Sequence, residues 1–143
     1  MSRFEQRPLL RDEQPPDDTA VVIRGGPHTA PKIARHAART ARAWMLDGNP
    51  LEGISVSCAL DGTGASSFDG VLSTTRSYRL VHLVEVGRLR ETGYELLPTA
   101  ARPHFTLRPV AGGTLDPQQL LTILGDPQPN PFYPRGLRHL GGA

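Results

Sequence analysis

A small α/β or α+β domain is the fold the sequence predicts, with a four- to five-stranded sheet, one long helix, one or two short helices and a C-terminal helical extension. Three observations predict it. The chain has 143 residues, the size of a single domain. Short β-branched or alternating runs recur at residues 19–24, 53–60, 78–84, 94–97 and 104–110, and segments of helical spacing lie between several of them. Breaks such as Gly25-Gly26-Pro27 and Ala111-Gly112-Gly113 punctuate the pattern. Glycine and proline, 15 and 14 residues, make up about one residue in five, which is too few and too aperiodic for a collagen or a fully disordered chain.

Taken in order, residues 1–18 are polar, end in Gln14-Pro15-Pro16-Asp17-Asp18 and read as a flexible arm. Residues 19–24 (TAVVIR) read as the first strand. Thr29 is placed to cap a helix, with Pro31 in its first turn where the missing N–H costs nothing. This helix is expected over residues 30–47, ending at Gly48. Ile33, Ala37, Ala41, Trp44 and Met45 fall on its apolar face, with Trp44 as a core anchor. Residues 53–60 form the second strand, in which Cys58 is expected as a buried small hydrophobe. After the Asp61-Gly62-Thr63-Gly64 turn, a short helix is expected near 65–72. Residues 78–84 alternate as a third strand, residues 85–92 make two helical turns ended by Gly93, and 94–97 with 104–110 make a hairpin. Asp116 and Pro117 start a further helix that carries Leu120, Leu121, Ile123 and Leu124 and stops at Gly125. The predicted organisation is therefore an arm (1–18), a core (19–110) and an extension (111–143).

Charge is nearly balanced, 16 Lys and Arg against 14 Asp and Glu, a net +2. Lys32 is the only lysine, so nearly every cation is an arginine, in keeping with GC-rich coding. Placement carries more than the count. Lys32, Arg35, Arg39 and Arg42 make one stripe on the long helix, and no acid lies between them to pair at i,i+4. The first cations sit at the positive end of the helix dipole, where local physics disfavours them. A stripe with no local partner points to an outside one: a phosphate backbone, RNA or DNA, or an acidic protein surface. Arg24, at the end of the first strand, adds to it. A lone cysteine and an N-terminus without a secretory apolar core lead to the expectation of a reducing cytoplasm. One cysteine cannot build a zinc site of the common kind, so no metal is expected. Neither a P-loop nor a G-x-G-x-x-G turn is present, so no cofactor is expected. No apolar run approaches the ~20 residues that span a bilayer, so no membrane partner is expected.

Catalytic candidates come from the histidines and from Glu95. His104-Phe105-Thr106-Leu107 puts an imidazole and a hydroxyl on one strand face, a pairing that can move a proton and bind an oxyanion. The pattern resembles half of the paired motif of the 2H phosphoesterases. The second copy that this family uses would fall on Pro27-His28-Thr29-Ala30, which lacks the spacer between His and Thr. If the third and last strands are neighbours, His82 and His104 with Arg108 would form a metal-independent RNase site. A second pattern is similar to the ADP-ribosyltransferases of the Arg–Ser-Thr-Ser–Glu type. That resemblance implies that Arg24 holds the NAD phosphates, Ser73 of Ser73-Thr74-Thr75 orients the ribose, and Glu95 stabilises the oxocarbenium ion. Departures are the short spacing from Ser73 to Glu95 and Gly93 two residues before Glu95. The leading expectation is a small intracellular protein that binds nucleic acid or another phosphate-bearing ligand through the arginine-rich helix, as part of a larger assembly. The alternatives are a small nuclease or ADP-ribosyltransferase-like toxin, and an adaptor that docks a protein through residues 116–134.

Overall fold

The computed structural model describes residues 12–46 and 48–134; the start of the arm (1–11), Asp47 and the end of the tail (135–143) lie outside the described residues. The fold is α+β. Six antiparallel strands form the main sheet: β1 (Ala20–Arg24), β4 (Ile54–Cys58), β5 (Leu80–Glu85), β6 (Tyr94–Leu97), β7 (His104–Pro109) and β8 (Gln128–Pro129). Their spatial order is β6-β7-β4-β1-β5-β8. A separate two-stranded ribbon pairs β2 (Met45–Leu46) with β3 (Asn49–Pro50). The helices are α1 (Ala30–Ala43), α2 (Phe68–Thr74), α3 (Val86–Glu91) and α4 (Pro117–Leu124).

Strand alternation sends the apolar residues of β1 to both faces, and both are covered. Val21 and Ile23 join the principal core beneath α1 and α4, with Ile33, Phe105 and Leu120. Val22 points the other way, into a smaller cluster with Val71 and Leu72 of α2 and Val81 of β5. Beyond that cluster the second face is mostly polar: Ser55 and Ser57 of β4 lie opposite Thr106 and His104 of β7, with buried Leu97 beside Thr106. Cys58 is fully buried on the principal core face.

The cap signals hold. Thr29 accepts from the Lys32 N–H at 3.3 Å, and Asp116 accepts from Gln118 and Gln119 at 3.1 Å. The expected end of the long helix does not. It stops at Ala43, Trp44 is extended, and Met45 and Leu46 turn back on Asn49 and Pro50 around Gly48. Gly48 has φ of +81°, which serves a tight hairpin as well as it serves a helix end, so the glycine signal does not distinguish them. Trp44 and Met45 are half-buried and stand outside the helical face expected for them.

The sheet has one strand more than expected. Gln128 and Pro129 pair with Val81 and Leu80 at the β5 edge, where a proline's missing N–H can be tolerated. α4, the helix expected in the extension, packs onto the core: Leu120, Ile123 and Leu124 are part of the principal cluster. The tail after it is fastened by Asn130, which is 1% exposed. Its amide donates to the Leu72 and Thr75 carbonyls at 3.2 and 3.0 Å, and its Oδ1 accepts from the Phe132 N–H at 3.0 Å. Asn130→Ala removes three hydrogen bonds of this clamp, although the Leu72 and Thr75 carbonyls keep donors from Thr75 and Tyr78. It should cost about 2 kcal/mol and expose the tail to limited proteolysis without unfolding the core, as read by melting and cleavage mapping. The arm is also held where it is described. Gln14 donates to the Leu96 carbonyl, Asp17 pairs with Arg90 at 2.6 Å, and Arg102 joins Glu13 to Asp61 at 2.8 and 2.6 Å.

Candidate anion-binding pocket

β1 ends at Arg24, and the chain turns through Gly25 into α1. Gly25 has φ of +87°, a conformation that glycine adopts without steric cost. Tyr78 packs 3.6 Å from the place where a Cβ on Gly25 would stand. Between this turn, the side of α1 and the segment leading into β5 lies a cavity of about 650 Å³. Arg24, Lys32, Arg39 and Arg79 line it, together with His28, His36, Trp44, Tyr78 and Tyr133. No Asp or Glu is among its described lining residues.

The helical stripe divides here. Lys32, His36, Arg39 and Ala43 follow i, i+4, i+7, i+11 spacing and face the cavity; Arg35 and Arg42 are exposed and do not line it. The Lys32 ammonium donates to the Gly25 and Pro27 carbonyls at 3.1 and 3.2 Å, so it both braces the turn and charges the rim. The Arg24 guanidinium lies 5.6 Å from the centre of the Tyr78 ring. Among the described residues none of these four cations pairs with a carboxylate, whereas Arg90, Arg102 and Arg108 all do. Mutual repulsion of unneutralised cations costs stability and is relieved by an anion.

The histidines behind the rim are held neutral. His36 accepts from the Ser55 N–H at 3.4 Å; burial, then Arg39, His28, Arg24 and His104, push its pKa down to about 4. His28 donates from Nε2 to the Arg24 carbonyl at 3.0 Å and stacks on His82, ring centres 5.2 Å apart. Burial lowers the His28 pKa, partly offset by that carbonyl, and His82 and Lys32 lower it further. His82 is 1% exposed, and its Nε2 accepts from the His28 N–H at 3.4 Å. Burial lowers the His82 pKa too; the nearby Gly125 and Leu124 backbone and Asp126 oppose this, although Nδ1 makes no hydrogen bond among the described residues. Both pocket histidines bond to backbone groups, His28 to the Arg24 carbonyl and His36 to the Ser55 N–H.

The catalytic groupings expected from sequence do not assemble. His82 lies opposite Ile23 on the principal core face, while His104 lies opposite Ser57 on the other face. β1 and β4 separate their strands, roughly 14 Å at about 4.8 Å per strand. Arg108, the expected charge clamp, pairs with Glu95 at 3.0 Å. His104 instead contacts Thr99, Nδ1 lying 2.9 Å from the Thr99 carbonyl, and Thr99 bonds Thr106 at 2.7 Å. The His-x-Thr pair is thus knitted to the β6–β7 connection. The ADP-ribosyltransferase grouping is dispersed as well: Arg24 is on β1, Ser73 on α2 and Glu95 three strands from Arg24 on edge strand β6. The sequence does not single out His28, His36, Tyr78 or Arg79 as binding residues, and it marks Tyr133 only within the 116–134 docking segment. Only the His36 position, between Lys32 and Arg39 on one helical row, carried a local signal for the pocket.

Comparison with protein-family models, with curated proteins and with solved structures finds no match to this chain. Among the described residues no three His, Cys, Asp or Glu side chains are grouped as metal ligands, and no helix is long and apolar enough to cross a membrane.

Proposed function

We propose that the protein binds a phosphate-bearing ligand, with nucleic acid as the leading class, in the pocket between β1 and α1. The observation that supports this reading is the convergence of Arg24, Lys32, Arg39 and Arg79 on one cavity with no carboxylate in its described lining. Arginine forks suit phosphate oxygens, and the outward row of Arg35 and Arg42 extends positive potential along the same helix for a longer polyanion.

Binding of a fluorescent single-stranded oligonucleotide, followed by anisotropy, tests it. Affinity should fall steeply between about 50 and 200 mM salt. The double variant Arg24→Ala/Arg39→Ala should bind at least tenfold more weakly, with a salt slope shallower by about 0.7 per lost contact. Arg88→Ala/Arg90→Ala removes the same formal charge from α3, away from the pocket, and should bind as the parent does. Equal losses in the two double variants, or no binding at low salt, would overturn the proposal.

A further inference from the structure

We propose that the pocket takes a single nucleotide unit with its base unstacked, either as a free nucleoside monophosphate or as a nucleotide of a single strand; this rests on the phosphate-binding reading above. Three aromatic side chains reach the same cavity as the four cations: Trp44, Tyr78 and Tyr133. They come from three distant parts of the chain, and each is placed by a separate device. Trp44 follows the early end of α1, its N–H donating to the Thr40 carbonyl at 2.9 Å and its own carbonyl accepting from Leu51 at 3.0 Å. Tyr78 leads into β5 and stands beside Gly25 and Arg24. Tyr133 is set by the Asn130 clamp, its N–H donating to the Asn130 carbonyl at 3.0 Å. A bare phosphate needs none of these rings. A base does, because any of the four bases presents a flat face that an aromatic ring can stack on.

Size and shape agree. The cavity of about 650 Å³ lies within the roughly 300–1,000 Å³ of small-molecule sites and far exceeds what a lone anion fills. It is a recess at the end of the sheet. A duplex is read by an element that projects into a groove, and paired, stacked bases offer no free face to a ring in a recess. An unpaired nucleotide offers its phosphate to the arginines and its base to the rings at once, which is the combination used in single-strand recognition.

Competition against the labelled oligonucleotide tests this. Adenosine and uridine monophosphates should displace it at least tenfold better than ribose 5-phosphate or pyrophosphate, and an unlabelled single strand should compete at least tenfold better than the same sequence as a duplex. The variant Tyr78→Leu/Tyr133→Leu should weaken the monophosphates about tenfold while pyrophosphate competes as before. The relative strength of the monophosphate and of the unlabelled strand tells which source is preferred. If pyrophosphate or ribose 5-phosphate equals the monophosphates, or the duplex equals the single strand, the nucleotide assignment is overturned while phosphate binding stands. If no phosphate compound competes, both readings fall. Circular dichroism of the Leu variant, expected to match the parent, excludes misfolding as the cause of a loss.

Discussion

Stability should fall as the pH drops from the ordinary histidine value of 6.5 toward about 4. In that window an unfolded chain protonates its His36 ring, while the folded protein, where the ring is partly buried with Arg39 and Arg24 nearby and its lone pair engaged by the Ser55 N–H, holds the ring neutral. The unfolded state therefore binds more protons and gains at the expense of the folded one. The contribution is fully present above 6.5 and is lost as the pH falls through about 4. A shift of this size corresponds to about 3 kcal/mol; with solvent screening of a half-buried ring, about 1–2 kcal/mol is expected. His28 and His82 act in the same direction, because burial lowers both and protonation would set two like charges in a stack beside Lys32. Urea midpoints measured at pH steps across the window should decline steadily. His36→Gln keeps an acceptor for Ser55 but cannot titrate, and should flatten the decline by a third or more. An unchanged slope in that variant would show that the ring is not held as described. A bound anion offsets the local positive charge, so it should lessen the loss.

Gly53→Ala should lower stability by about 2–3 kcal/mol, or roughly 5–10 °C in Tm. Gly53 is buried just before β4, and a Cβ there would stand 2.5 Å from the Leu107 carbonyl and 2.9 Å from the Thr106 methyl. Neither neighbour can yield cheaply. Leu107 is locked into the ladder opposite Ile54 and Leu96, and Thr106 is bonded to Thr99. The methyl group must push β7 away from β4 in the middle of the sheet. Gly62→Ala is the matched control: nothing lies within 4 Å of its Cβ position, and its Tm should stay within the range of ordinary surface changes. Equal melting of the two variants would mean that the strands can part without cost at this point.

Features that depend on a few adjacent residues were legible from sequence alone. Thr29 with Pro31, and Asp116 with Pro117, start helices because a side-chain oxygen and a preset φ act within one turn. The alternating runs became β1, β4, β5, β6 and β7 because burying every second residue is a local rule. The cationic row Lys32 and Arg39 was visible for the same reason, as one face of one helix. Everything that needs two distant segments to meet was decided by tertiary structure. Strand order put β4 and β1 between His82 and His104 and sent the two rings to opposite faces, which dissolved the expected catalytic pair. β8 has only two residues and no strand pattern, so its existence depends on the β5 edge that receives it. α1 ends where a hairpin packs, not where its own composition weakens. The pocket itself arises from long-range closure: α1 supplies a charged row, and only the folded chain brings Arg79, Tyr78 and Tyr133 opposite it. Local sequence sets torsions and faces over one or two turns, whereas which faces meet depends on how the whole chain buries its apolar surface.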